Sequence, residues 1–418
     1  MGAINIDNTG SGGGITLSSD GTSLLLGGTA VGGSALELYA ENPSSPTTPI
    51  ATGANDVAIG TQAEATGGAA IALGYDAVAS GNLSLAINAA TASNTASIAI
   101  GQQAVASGSS SLALGYGTDA TGGFSTAVGR NAQATSTSAN AFGRDAVSAG
   151  NQSTAIGDAY ASGTDSFAAA IANNTSSYGA TGSNSIAMGY LSKSTGQGSF
   201  SAGYQNTSQG FASAAIGSSN SITAAGSSSV ALGYNNTVSG GYASALGGHS
   251  NSVTAGYAVA TGYRAKADIH GKVAHSAGYF SSVGDAQNGK FVLRSDTTDA
   301  TPEALTGDNF SGTTQIILPN NSAYSFSGTI IARESATDGS DYASWEIKGA
   351  LLRDANAAST VLGNGIVNKL YATSGASAWA VALTADTTNG GLKVEVTGAA
   401  ATNSRWVATV NTSEVTYA

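Results

Sequence analysis

The sequence contains no cysteine, which excludes disulfide frameworks, cysteine-ligated zinc and thiol catalysis together. Charge is scarce: 9% of the 418 residues are charged, against roughly 25% in ordinary globular domains. What charge there is runs acidic, with 14 Lys+Arg against 25 Asp+Glu for a net −11. No basic run is present, so nucleic acid is not an expected partner. No apolar stretch approaches the roughly 18 residues of a membrane span, and no membrane insertion is expected. The start, Met1-Gly2-Ala3-Ile4-Asn5-Ile6-Asp7, lacks the basic region of a secretory signal. Aromatics reach only 7%, too few for a thick core of large side chains. An apolar fraction of 41%, led by Ala, is too high for a solvated disordered tail. A thin, extended fold filled by small side chains remains.

Glycine is abundant, 58 residues of it, and it arrives with a period. An apolar-Ala-apolar-Gly unit recurs as Val57-Ala58-Ile59-Gly60, Ile71-Ala72-Leu73-Gly74, Ile98-Ala99-Ile100-Gly101 and Leu112-Ala113-Leu114-Gly115. Looser copies end at Gly129, Gly143, Gly157, Gly189, Gly203, Gly217, Gly233, Gly247, Gly262 and Gly278, and Asn88 and Ala172 stand in for the glycine in two more. Most steps are 14 residues. Between the glycines lies a second short segment, such as Ala63-Glu64-Ala65 or Ala104-Val105-Ala106, usually followed by a Ser-Gly or Thr-Gly turn signal. Each unit reads as two short strands joined by tight turns, with Gly too frequent for a helix. Sixteen such turns, spaced by roughly 4.8 Å, predict a rod on the order of 75–80 Å long.

The two strands differ. In the second, Ala63 and Ala65 alternate with Gln62 and Glu64, so one face is buried. In the first, Ile71 and Leu73 alternate with Ala72, which predicts burial of both faces. A single coil has one inside, so the second apolar face needs an external neighbour, most simply a symmetry mate.

These repeats resemble the head repeat of trimeric autotransporter adhesins, the YadA-like left-handed parallel β-roll, over about residues 54–280. A similar repeat occurs in bacteriophage tail fibres. The resemblance implies a trimeric left-handed parallel β-roll of 14-residue repeats, with Ile59, Ile71, Leu73, Ile100 and Leu114 at the interface of a homotrimer.

Residues 1–40 read as short strands with Gly/Asp turns, an N-terminal attachment segment that resembles stretches of marine-phage virion proteins. Residues 41–53, with Pro43, Pro46 and Pro49, read as an extended linker. The β-roll shaft is assigned to 54–262, and a neck to 263–285, where Arg264, Lys266, Lys272, His270 and His275 gather. Residues 286–418 hold all three tryptophans and alternating strand patterns at 290–294, 315–318, 327–332, 345–348, 392–396 and 406–410, which predict a C-terminal antiparallel β-sandwich tip. Phe291-Val292-Leu293-Arg294, Thr297-Thr298-Asp299-Ala300-Thr301-Pro302 and Arg405-Trp406-Val407-Ala408 resemble the C-terminal domain of phage tail-fibre-like proteins. An autotransporter would need a secretion signal and a membrane-barrel anchor; neither is read here, so a phage fibre is expected.

Several residue patterns suggest chemistry. The residue after the repeat glycine is often Tyr, and a row of rings could stack the sugars of a surface glycan. A turn-covering ladder is the structural alternative and the favoured one. Tyr190, Tyr204 and Tyr234, with Trp345 and Trp379, are the candidate receptor contacts; for the tryptophans, burial in the sandwich core is the favoured alternative. One position beyond the tyrosines, Gln62, Asp76, Gln103, Asn131, Asp145, Gln205, Asn235 and His249 form a polar row, read as an amide ladder. Asp145 and Asp158 fall one turn apart and could act as a hydrolase pair, but acids are sparse, and no catalytic residue is assigned. His270 and His275 do not suit joint ligation, and the loop acids Asp338, Asp341 and Asp354 are spaced too widely for a calcium loop. No metal and no cofactor are assigned.

The expectation is a non-enzymatic, structural and adhesive virion protein of a phage tail or particle surface. Its N-terminal segment would join other virion (tail or capsid) proteins, and its distal domain would meet a host cell-surface glycan or protein. The alternatives are a capsid-borne fibre or decoration protein, a bacterial trimeric surface adhesin, and a glycan-depolymerising tailspike.

Overall fold

The glycine period becomes a stack of parallel strands. The computed structural model describes residues 47–169, 177–308, 314–335 and 339–417, together with the backbone of short strands between Ile4 and Glu37. Ala172, Asp338, Pro43 and Pro46 lie outside the described residues. The chain divides into two compact units, Met1–Asn184 and Ser185–Ala418, a cut that falls within the stretch assigned to one shaft. Of the first 40 residues, Ile4–Ile6, Ile15–Ser19, Leu24–Leu26 and Thr29–Val31 form an antiparallel meander.

In the first unit the apolar-Ala-apolar segments are three-residue strands, from Val57–Ile59 and Ile71–Leu73 to Thr154–Ile156 and Phe167–Ala169, paired in parallel and in register. The intervening segments, such as Glu64–Ala65, Val78–Ala79 and Val105–Ala106, stack as a second parallel sheet. The second unit continues the pattern from Ile186–Met188 and Phe200–Tyr204 to Val273–Ser276. The fold is all-β, with a parallel β-solenoid as the repeat predicts.

The narrow interior explains the composition. Ala58, Ala72, Ala99 and Ala113 of the first strands, Ala65 and Ala79 of the second, and Ala63 and Ala77 just before them are all fully buried. Gly101 shows why the repeat glycine is required. Its φ is +126°, and a Cβ there would lie 2.4 Å from the carbonyl oxygen of Gly115 in the next turn.

The expectation that both faces of the first strand are buried holds, in the single chain, for the alanine face alone. Ile71 and Leu114 are 38% and 40% exposed, and Ile59, Leu73 and Ile100 are half-buried. Alanine fills the interior, so the larger side chains of the strand point outward.

In the second unit the interior gains a polar spine. Asn206, Asn220, Asn236 and Asn251 are buried one per turn. Asn206 Oδ1 accepts from the Asn220 backbone N–H at 2.9 Å, Asn220 Oδ1 from Asn236 at 3.0 Å, and Asn236 Oδ1 from Asn251 at 2.8 Å. Their Nδ2 groups donate to carbonyls of the repeat, as from Asn220 to Gly233 at 2.7 Å. Every buried polar group of the spine is thus partnered, which its burial requires.

After the last turn, Val273–Ser276 pairs antiparallel with Ala286–Thr297, which opens the C-terminal part. Ala286–Thr297, Ser404–Thr416, Ser322–Glu334, Tyr342–Arg353 and Val361–Ala372 lie side by side in an antiparallel sheet. Gly391–Thr397 pairs with Ala380–Asp386, Glu303–Ala304 and Ile316–Ile317 in a second one. A core cluster draws on both, with Phe291, Ile330 and Ile347 from the first and Leu392, Val394 and Val396 from the second.

Lys272 in the last turn is fully buried. Its Nζ lies 2.7 Å from Glu414 Oε2 on the final strand, and neither side chain has exposed surface. Gln287 Nε2 and Thr412 Oγ1 also donate to the Glu414 carboxylate, each at 2.7 Å. Burial, with the Glu414 and Asp268 charges nearby, pushes the Tyr324 phenol well above its ordinary range. A buried ion pair seldom adds net stability, but removing one partner strands the other charge. Lys272→Met is therefore expected to cost about 3–5 kcal/mol in chemical denaturation, most of it recovered in the Lys272→Met/Glu414→Leu double variant. Equal loss in both variants would contradict this. Gly101→Ala should cost roughly 2 kcal/mol. Gly123→Ala, where nothing lies within 4 Å of the added Cβ, should change the melting temperature little.

Candidate functional site

In Phe200–Tyr204 and Val230–Tyr234 the residue after the repeat glycine ends the first strand and is exposed, and in-register stacking places such residues one turn apart. Tyr190 and Tyr204 stack with centroids 5.1 Å apart and planes 14° from parallel. Further along, Tyr234 meets His249 edge-on at 4.8 Å, His249 stacks on Tyr263 at 4.9 Å, and Tyr263 meets Tyr279 edge-on at 5.4 Å. The Arg264 guanidinium sits 3.8 Å from the Tyr279 ring centre. His249, assigned from sequence to the polar row, belongs to this column. A bulge at Gly247-Gly248 shifts the register, so His249 pairs with Tyr234.

A second aromatic row carries no repeat glycine before it to mark it in the sequence. Tyr242 and Tyr257, 61% and 59% exposed, stack at 5.2 Å and 8°, and Tyr257 meets His270 at 5.1 Å. The signal was their 15-residue separation, close to the repeat period.

Stacking limits what the rings can bind. Rings that face one another along the column leave mainly edges and hydroxyls to solvent, so a sugar can lie flat on a tyrosine only where the column is interrupted or ends. Trp345 and Trp379 are each 1% exposed, packed around Trp406 at 5.2 and 5.6 Å. They lie in the core and offer no open face, which leaves Tyr190, Tyr204 and Tyr234 as the exposed candidates.

The polar row has a backbone cause. Gln62, Asp76, Gln103, Asn131, Asp145, Gln205 and Asn235 all have φ between 54° and 62°, the left-handed region that Asn and Asp tolerate best among residues with a side chain. Asn131 donates to Asp145 at 2.9 Å, but the continuous amide ladder of the molecule is the buried asparagine spine. No motif marks it in the sequence, because the same position holds Ala63, Ala77, Ala104 and Ala132 in the first unit.

Asp145 and Asp158 are brought to one guanidinium, Arg144, at 3.3 and 4.0 Å. His275 bonds Thr261 Oγ1 at 3.0 Å, while His270 joins the second aromatic row. Among the described residues no group of three His, Asp or Glu side chains forms a metal-binding cluster. Asp341 accepts from Thr373 Oγ1 and the Gly375 N–H, tying down a turn.

Residues 51–77, 65–87, 92–118, 120–140, 134–159, 180–206 and 224–250 match the YadA head domain repeat (2 copies). Among solved structures, the chain is similar to the tailspike protein gp49 of Acinetobacter baumannii bacteriophage Fri1, a capsular polysaccharide depolymerase. Identity is 9% over 86% of this chain and 62% of that one, with a TM-score of 0.24. It is also similar to the tailspike protein of Acinetobacter phage vB_ApiP_P1, at 8% identity over 89% of this chain and 81% of that one, with a TM-score of 0.24. The chain thus spans less than two thirds of the first tailspike. No curated protein matches it. One expectation is corrected here. The non-enzymatic role expected from the sequence does not stand, because a structure similar to this chain is a capsular polysaccharide depolymerase.

The loop after Tyr279, the last ring of the column, is pinned by Asp285. Its carboxylate accepts from the backbone N–H groups of Phe280, Ser281 and Ser282 at 3.0, 2.6 and 2.6 Å. Burial pushes the Asp285 carboxyl up, but these three bonds and the Ser281 hydroxyl together hold it below the usual 3.8. The carboxyl is lower in the folded state, so its contribution is present above that value and lost as the pH falls through the folded one. Asp285→Asn should lower stability at neutral pH, and the gap from the native protein should close as the pH falls below about 4. A gap that persists unchanged in thermal melts at low pH would refute this.

Proposed function

We propose that the protein is a structural and adhesive fibre protein of a bacteriophage particle, acting as a homotrimer. In this reading the left-handed β-roll is the shaft and residues 286–418 form a β-sandwich that contacts the host surface. The N-terminal segment joins other virion proteins of the tail or capsid, and the receptor is a host cell-surface glycan or protein. The observation that carries the reading is the outward apolar row of the first unit, in which strand pairing runs Leu114, Val128, Phe142, Ile156 through successive repeats and Leu114, Phe142 and Ile156 are 40–43% exposed. A stripe repeated at each turn is matched by the same stripe on another copy, as in symmetric oligomers. Ile100→Asp and Leu114→Asp are expected to lower the solution mass from three chains to one. Variants that remain trimeric and equally heat-resistant would overturn the interface.

A second reading, glycan depolymerisation, is favoured by Asp145 and Asp158 meeting at Arg144. It predicts reducing-sugar release from host polysaccharide that is lost in Asp145→Asn/Asp158→Asn. Binding without release supports adhesion alone.

A further inference from the structure

The aromatic column of the second unit has a gap. Strand pairing sets Tyr204 opposite Ser218 and Ser218 opposite Tyr234. Tyr204 stacks on Tyr190 on one side, and Tyr234 meets His249 on the other, with no ring between them. Between Tyr190 and Tyr263, Ser218 is the position where a repeat lacks its ring. The neighbouring row changes in the same turn, where Gln205 and Asn235 flank Ser219.

Two interstrand steps of roughly 4.8 Å separate the Tyr204 and Tyr234 strands by about 9.6 Å. A ring in contact with two walls at roughly 3.5–4.0 Å each needs about 7–8 Å between them. The gap therefore admits one ring and no more. Its aromatic walls are 49% and 51% exposed. Its floor is the hydroxyl pair Ser218 Oγ and Ser219 Oγ, 3.5 Å apart. Gln205 and Asn235 hold the neighbouring row in the turns on either side, the Asn235 amide donating to Ser250 Oγ at 3.0 Å, and no charged side chain belongs to these positions.

We propose that this notch is a binding site for a single neutral hexopyranose ring of a polysaccharide. The apolar faces of the sugar lie against Tyr204 and Tyr234, and its hydroxyls meet Ser218 and Ser219. With stacked strands on both sides, the ring enters from solvent and the glycan chain runs across the strand stack, not along it. The acidic net charge of −11 and the lack of charge at these positions select against anionic sugars.

This inference rests on the glycan-binding reading above, and the test separates the two. The full-length protein is screened on an array of neutral hexose and N-acetylhexosamine oligosaccharides, and the strongest binder is titrated by calorimetry. Ser218→Tyr fills the notch with the ring that the rest of the column carries, so it should keep the native melting temperature and lose binding at least tenfold. Tyr204→Ala and Tyr234→Ala should each weaken binding by a similar factor, whereas Tyr257→Ala, in the other row, should not. Native-like binding by Ser218→Tyr would overturn the notch while leaving adhesion intact. No binding by the native protein to any oligosaccharide on the array would remove the notch and the glycan receptor together, leaving a protein receptor for the adhesive reading.

Discussion

Within each unit the turns stack at the spacing of paired β-strands, and in the first unit the two sheets of a turn lie close enough that alanine fills most of the space between them. That constraint governs most other features of the molecule. Glycine is required where a Cβ would strike the carbonyl of the next turn, as at Gly101. In the first unit, where alanine fills the interior, the isoleucines and leucines of the first strand turn outward, whereas the second unit admits Ile222, Val238 and Val253 to its core. The first unit thus carries its larger apolar side chains on the outside of its own core.

The same stacking dictates what happens to side chains at one repeated position. Rings repeat into columns, amides into a buried spine, and left-handed turn residues into a row. A function in such a molecule is written as a departure from the repeat. The missing ring at Ser218 is one departure and the bulge before His249 another. The third is the end of the roll, where small side chains give way to the buried Lys272–Glu414 pair and the tryptophan-centred core.

Much of this was legible in the sequence. The period gave the parallel strands, the alanines gave the interior, and the tyrosines gave a column. What escaped did so for identifiable reasons. Lys272 and Glu414 are 142 residues apart and meet through tertiary structure that no local pattern encodes. The strand Val361–Ala372 contains Gly363 and Gly365, and the regular alternation of its apolar residues is broken. The asparagine spine occupies a position that alanine fills in the first unit, so no single motif announces it. The polar row was visible, but its cause is the backbone's left-handed turn, which the residue types alone do not distinguish from an amide ladder.

The claim on which the account turns is that the outward apolar row is covered by other copies of the chain. Light scattering on the purified full-length protein measures this directly. The account predicts a mass of three chains of 40.5 kDa each. A stable monomer at micromolar concentration would contradict it, leaving an isolated solenoid whose apolar row has no partner.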